Sequence, residues 1–476
     1  MKKILFVGGE SVPFASTGGL GDVMGSLPDA LGENPDLSVS AVMPLYGSIA
    51  ESYRSKMEKI AEFTVALAWR NQYCGVYRYK SKSATYYFLD NEYYFNRSSI
   101  YGQYDDGERF AFFSHAVLDM MPVIGYYPDI LHANDWQAAL AVIYLKEKYA
   151  KNPAYANIKT VYTIHNIDYQ GIFDFAILGD VFDLDEQSRP LLEFDGCINL
   201  TKGAIVACDR LTTVSRRYAE ELRSPYFSGK LSGILSEVAG KTDGIVNGID
   251  LAYYNPEKDP DIVAPFSRED MAGKAANKAH LQRLFGLPES PTTPVIAMIS
   301  RLAGHKGFDL VQYVMEELLS EDVQIVLLGT GERSYEEFFA DTARRYPSKM
   351  GVALTFNKGL AKQIYAGADL FLMPSKSEPC GLSQMIASAY GTVPIVREVG
   401  GLYDTIKPYN PETQKGNGIT FATYNAHDML DAVRRGLGLY RDFPELWERL
   451  LSNVMAADFS WNASAAGYLS IYDTLS

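Results

Sequence analysis

The sequence predicts an α/β protein of two doubly wound domains, each a parallel sheet with helices on both faces. Short β-branched apolar runs alternate with helix-like stretches along the whole chain, and the rhythm of the first half returns in the second. Asn-Gly and two prolines interrupt the pattern over 247–260, which marks a seam. Strands are predicted at 4–7, 39–43, 86–89, 130–132, 160–164 and 210–214, with helices at 21–31 and 137–149. The second half predicts strands at 244–246, 295–299, 324–328, 353–356, 370–373 and 394–396, and helices at 307–319, 381–390 and 427–440. A last helix opens at Ser460-Trp461 and carries Trp461, Ala465, Tyr468, Leu469, Tyr472 and Leu475 on one face, a stripe that must be buried. The expected division is 1–246, 247–455 and a terminal helix, 456–476. Ligands of open parallel sheets bind beyond the carboxyl ends of the strands, which places the expected site between the two domains.

Composition narrows the function. The 476 residues are 47% apolar and 21% charged, an ordinary globular balance. A net charge of −14 argues against a surface built for nucleic acid or anionic membrane, while leaving room for a local basic pocket. The four cysteines (Cys74, Cys197, Cys208, Cys380) form no C-x-x-C pair, so neither a disulfide framework nor a thiolate zinc site of standard spacing is expected. The apolar run after Lys2-Lys3 ends at Gly8, too short for a secretory segment, and nothing approaches a membrane span of about 20 residues. A cytoplasmic location is the expectation. The 33 Tyr, 23 Phe and 4 Trp serve core packing first, though sugar faces also stack on such rings.

Five strand-end motifs carry the chemistry. Ser16-Thr17-Gly18-Gly19-Leu20-Gly21-Asp22 is no dinucleotide fingerprint, because Met24 stands where the third glycine belongs and the second strand ends without an acid for a ribose. It reads either as a plain turn and helix start or as a glycine loop whose backbone N–H groups face an anion or sugar. Arg301 and Lys306, five apart on a loop between a strand and a helix, can clamp a diphosphate, with two solvated charges as the plain alternative. Gly329-Thr330-Gly331 follows the next strand. Glu378 precedes Gly381-Leu382-Ser383, so its carboxylate either takes sugar hydroxyls or caps the following helix, whose first N–H groups suit phosphate. Cys380 reads as a packing residue. Finally, His132-Ala-Asn-Asp135-Trp136 and Thr163-Ile-His165-Asn place two of six histidines at strand ends; hydrogen bonding to a polar ligand is the reading, with no metal or cofactor required.

Taken together these motifs resemble the bacterial glycogen synthase and plant starch synthase family of retaining glucosyltransferases. The resemblance runs from Thr-Gly-Gly-Leu through His-Ala-Asn-Asp-Trp-Gln, Thr-Ile-His-Asn, Tyr-Gln-Gly and Val-Asn-Gly-Ile-Asp at 246–250. It continues through Ser-Arg-Leu…Lys-Gly, Ser-Glu-Pro-Cys-Gly-Leu at 377–382, Tyr-Gly-Thr-Val-Pro at 390–394 and Gly-Gly-Leu at 400–402 to Phe-Ser-Trp at 459–461. It implies the GT-B architecture, two Rossmann-like domains facing across a cleft, with the last helix returning to the first domain. It implies transfer of glucose from ADP-glucose to the non-reducing end of an α-1,4-glucan with retention. By motif, Arg301 and Lys306 hold the donor diphosphate, Glu378 the donor glucose, and His165 lies near the reacting centre. Ser16, Gly18, Gly19, Asp22, Asn247, Gly329, Gly331, Gly381, Leu382 and Ser383 are further donor-side candidates. Phe356 stands where the family places a ring against adenine, and Asp135 and Trp136 are acceptor-side or supporting residues.

The chain departs from the family pattern around the donor pocket. Ser16 stands for a usual Lys, His305 for Gln, Lys376-Ser377 for Arg-Phe, Asn357-Lys358 for an acidic or polar pair, and Lys362 for His. Alternatives therefore stand beside the main reading: UDP-glucose as donor, a small sugar as acceptor, or a glucan-binding homologue with weakened catalysis.

Overall fold

A computed structural model describes residues 1–475 and divides the chain into two units. One is Met1–Gly248 together with the segment from Trp461 onward, and the other is Ile249–Ser460. In the first unit the strands are β1 (Lys2–Val7), β2 (Leu37–Pro44), β3 (Glu58–Leu67), β4 (Arg70–Lys80), β5 (Thr85–Asp90), β6 (Ile130–Asn134), β7 (Lys159–Ile164), β8 (Arg210–Thr213) and β9 (Thr242–Gly244). Their order is β9-β8-β7-β6-β1-β2-β5-β4-β3. From β9 to β5 every pairing is parallel. Ile4, Leu5, Phe6 and Val7 are wholly buried, as a central strand covered on both faces requires.

The expectation of a purely parallel sheet is corrected here, because β3 and β4 form an antiparallel hairpin on the β5 edge. Much of β3 is exposed, with Glu58, Lys59 and Glu62 facing solvent, so it lacks the continuous apolar run that betrays a central strand. The terminal helix forms at Trp461–Asp473 and belongs to this unit. It buries Trp461, Ala465, Tyr468 and Tyr472 as predicted, packs against the helix Gly19–Gly32, and buries Ile471 rather than Leu469, which is half-exposed. The Tyr472 hydroxyl lies 2.7 Å from His132 Nδ1. His132 Nε2 in turn lies 2.6 Å from Thr163 Oγ1, so this histidine is a structural tie.

The second unit has β10 (Val295–Ile299), β11 (Gln324–Leu328), β12 (Met350–Ala353), β13 (Leu370–Met373), β14 (Val393–Arg397) and β15 (Ile419–Phe421). All are parallel, in the order β12-β11-β10-β13-β14-β15. Counted from β10 this is the 3-2-1-4-5-6 order of the Rossmann fold. Two expectations shift. The strand predicted at 353–356 lies at Met350–Ala353, because its register pairs Ile325 with Met350 and Leu328 with Ala353, leaving Phe356 in the loop beyond. The helix predicted at 307–319 breaks at Val314 into Phe308–Tyr313 and Met315–Ser320. No helix among the described residues is long and apolar enough to cross a membrane.

Candidate functional site

An open parallel sheet has a switch point where the strand order reverses, and the loops leaving it open a crevice at the carboxyl ends. In the first unit that point lies between β1 and β6, in the second between β10 and β13. Ser16, Gly18, Gly19 and Asp22 follow β1, Asp135 and Trp136 follow β6, and His165 follows the neighbouring β7. Arg301 and Lys306 follow β10, Glu378 follows β13, and Gly329 and Gly331 follow the neighbouring β11.

Glu10, just past β1, organises the glycine loop. Its carboxylate is buried and accepts hydrogen bonds from Thr17 N at 2.7 Å, Thr17 Oγ1 at 2.8 Å and Gly21 N at 3.1 Å. Burial raises its pKa, and these three donors oppose the rise. Gly18 and Gly19 open the following helix without a side-chain cap. A Cβ on Gly19 would meet nothing within 4 Å, and one on Gly18 only Glu10 at 4.0 Å, so space above the helix N-terminus is open. Ser16 Oγ donates to Gly18 O at 3.2 Å, shaping the turn.

Asn134 sets the protonation of His165. Its amide nitrogen donates to the carbonyls of Val7 (3.3 Å) and His132 (3.1 Å), which turns Oδ1 toward the imidazole. His165 Nε2–H therefore donates to Oδ1 at 2.9 Å, and Nδ1 remains a lone-pair acceptor. Burial lowers the His165 pKa to about 3, so the ring is neutral. Asp135 holds the same loop by accepting from His165 N at 2.7 Å. Burial raises its pKa to about 7, with Glu10 adding to the rise and the backbone N–H groups of His165 and Asn166 opposing it. Asp135 adopts φ 57°, ψ 179°, a conformation close to one only glycine enters freely, at a cost of about 1–3 kcal/mol. Trp136 packs edge-on to Phe110 and beside Phe173, a supporting role.

In the second unit, Lys306 Nζ lies 2.9 and 2.8 Å from the two oxygens of Glu378, and Ser375 Oγ donates to the same carboxylate at 2.9 Å. The helix-capping alternative for Glu378 is corrected, since the helix begins only at Ser383 with Leu382 at its N-cap. Arg301 is exposed, and its guanidinium makes no hydrogen bond or ion pair among the described residues. Gly381 takes φ +73°, a turn that favours glycine. Gly329 and Gly331 are explained by the protein itself, since a Cβ would lie 2.0 Å from Ser300 O or 2.2 Å from Leu302 O. Phe356 is 81% exposed, a free ring face. Asn247 is buried with Oδ1 lacking a partner, and Cys380 is buried as a packing residue should be. Lys362 is taken up by Asp259 and Asp261, each at 3.1 Å.

Sequence reasoning missed Glu10, Asn134 and Ser375. Glu10 did carry a signal, an acid directly after Gly8-Gly9 at the end of the first strand.

A profile of the starch synthase catalytic domain matches residues 3–237, and one of glycosyl transferases group 1 matches residues 284–442. Proteins named glycogen synthase from Anoxybacillus flavithermus and Geobacillus stearothermophilus are each 48% identical over 475 residues, spanning 99% of this chain and 98% of theirs. The catalytic domain of starch synthase IV from Arabidopsis thaliana, solved with ADP and acarbose, superposes with a TM-score of 0.91 at 32% identity, covering 100% of this chain and 99% of that one. Sucrose-phosphate synthase from Thermosynechococcus elongatus, at 18% identity and a TM-score of 0.61 over 100% of this chain and 99% of its own, shares the fold. The chain belongs to the glycogen and starch synthase family and is a glycosyltransferase of the GT-B fold.

Proposed function

We propose that the chain transfers glucose from ADP-glucose to the non-reducing end of an α-1,4-glucan with retention of configuration. One observation carries the chemistry. At the β10/β13 switch point the free guanidinium of Arg301 shares a loop with Lys306, whose ammonium is bound to Glu378. The difficult event is departure of a diphosphate from an oxocarbenium-like carbon, and cations aimed at the leaving group stabilise that charge. Arg301 offers a planar fork for phosphate oxygens, and Lys306 a point charge. Glu378 accepts hydrogen bonds from the donor sugar. The neutral His165 offers Nδ1 to a sugar hydroxyl, and the N–H groups at Gly18 and Gly19 add donors.

Glu10, Asp135 and Glu378 are each held by the protein's own donors. That supports substitution on one face of the sugar, in which the departing phosphate oxygen takes the acceptor's proton, over a pair of flanking carboxylates. The names of the relatives support glucan synthesis, and the ADP in the starch synthase IV structure supports the adenine nucleotide. Ser16 favours a second reading, a looser nucleotide choice, because a lysine is missing from the glycine loop. The test offers glycogen with labelled ADP-glucose or UDP-glucose and reads the new linkages by NMR. The proposal expects α-1,4 linkages, formed faster from ADP-glucose. Incorporation from UDP-glucose alone replaces the donor, and none from either overturns the function.

A further inference from the structure

Arg301 and Lys306 lie either side of Ala303, which opens the short turn Gly304–Lys306 and has no side chain to cap it. The Arg301 guanidinium makes no hydrogen bond or ion pair among the described residues, so the backbone that carries it sets its position. That backbone is fastened to the loop after β11. Leu302 N donates to Thr330 O at 3.0 Å, and Glu332 N donates to Leu302 O at 2.7 Å. Gly304 N, a donor with no partner inside the turn, donates to Glu332 Oε1 at 2.9 Å. The turn is also bonded to the loop after β13, through Lys376 N to His305 O at 2.8 Å.

Glu332 stands at the N-cap of the helix Arg333–Arg345, yet its side chain caps nothing in that helix. An N-cap side chain ordinarily accepts from an N–H of its own first turn. Here the carboxylate crosses instead to the turn of the neighbouring loop. Glu336, one turn along the helix, accepts from Gly331 N at 2.9 Å and from Thr330 Oγ1. The two acids tie the helix to the loop after β11, and that loop to the one carrying Arg301. By charge alone an acid is out of place here. Glu332 is exposed, has no ion pair among the described residues, and lowers the positive potential that draws a diphosphate. The hydrogen bond to Gly304 N accounts for it.

We infer that Glu332 is a positioning residue for the diphosphate clamp: its carboxylate oxygen, as an acceptor rather than as a charge, holds the turn that leads from Arg301 to Lys306. This rests on the proposed role of those two cations and goes beyond it by naming what keeps them in place before the donor arrives. A loop ordered in advance loses less entropy when the phosphates bind.

Glu332→Gln and Glu332→Ala separate the acceptor from the charge, since Gln keeps an oxygen acceptor and drops the charge while Ala drops both. Calorimetry measures Kd for ADP, or for UDP where wild type prefers it, beside KM for the sugar nucleotide, KM for glycogen and the midpoint of urea unfolding. The inference expects Glu332→Ala to weaken ADP binding at least about fivefold and to raise KM for ADP-glucose to match, as loss of a hydrogen bond to a charged group does. KM for glycogen and the urea midpoint stay at wild-type values. Glu332→Gln binds ADP within about twofold of wild type, because the acceptor is retained. Tighter binding in both variants shows that the carboxylate acts through its charge and overturns the inference. Equal affinity in all three proteins, or a loss in Glu332→Gln as large as in Glu332→Ala, also overturns it. The expected split in a protein that transfers no glucose upholds the inference and overturns the proposed activity. A wild type that binds neither nucleotide overturns the clamp and the inference together.

Discussion

Lys306 and Glu378 form an ion pair, with Nζ 2.9 and 2.8 Å from the two carboxylate oxygens, although the residues stand far apart in the chain. Backbone contacts between their loops hold the pair. Gly307 has φ +79°, and a Cβ there would lie 2.1 Å from Pro374 O, while Lys376 N donates to His305 O at 2.8 Å. The cation expected on the diphosphate and the acid expected on the sugar are thus joined in one ion pair.

Arg301→Ala and Lys306→Ala therefore diverge. Arg301 is exposed and unpaired, so its loss leaves urea stability within about 0.5 kcal/mol of wild type. It costs about 2–5 kcal/mol in kcat/KM for ADP-glucose. Lys306→Ala strands the buried Glu378 carboxylate and loses stability as well. That loss is about 1–3 kcal/mol, below the value for a fully buried pair, because the lysine side chain is 21% exposed. Equal stability in the two variants contradicts the pairing.

Asp135→Asn changes how stability depends on pH. The folded protein holds the Asp135 proton up to about pH 7, whereas the unfolded chain releases it near pH 4. Between those values the folded state binds more protons, so this group makes stability fall as pH rises, by up to about 1.4 kcal/mol per pH unit. His165, lowered to about 3, acts oppositely from about pH 3 to 6.5, but it is common to both proteins. The variant minus wild-type difference isolates Asp135: Asp135→Asn gains stability relative to wild type as pH rises from 4 to 7. A difference independent of pH contradicts the assignment.

Ser16→Lys tests the glycine loop. Lys362 cannot supply the missing charge, being committed to Asp259 and Asp261. A lysine at 16 adds a charge-assisted contact of about 1.5–3 kcal/mol to the donor phosphates. KM for ADP-glucose should fall at least about tenfold, with a sharper preference over UDP-glucose. Unchanged KM and donor ratio show that another group already serves.

Tyr472→Phe removes the hydrogen bond to His132 and leaves a buried nitrogen without that partner. Thermal and urea unfolding should show a loss of about 1–3 kcal/mol, with KM values unchanged. A shift in donor KM without loss of stability contradicts the structural role of His132.

Central strands were legible because residues such as Ile4–Val7 are buried on both faces and read as unbroken apolar runs. The β3–β4 hairpin was not, because an edge strand keeps Glu58, Lys59 and Glu62 in water and mixes polar with apolar residues. The position of Phe356 was missed for a different reason: β12 is set by its register with β11, a partner outside its own segment. At the site, glycine spacing and charge type announced the loops. Asn134 acts on His165 from the next strand, and Ser375 acts on Glu378 through a loop turn, so both were invisible to motif reading.

The most direct measurement is glucose incorporation into glycogen from labelled ADP-glucose by wild type and Glu378→Gln, with the thermal midpoint of each. The account predicts steady incorporation by wild type. It predicts a kcat at least about thirtyfold lower in the variant, equivalent to about 2 kcal/mol of lost transition-state stabilisation, with only a small fall in midpoint. Full activity in Glu378→Gln, or no incorporation by wild type, contradicts it.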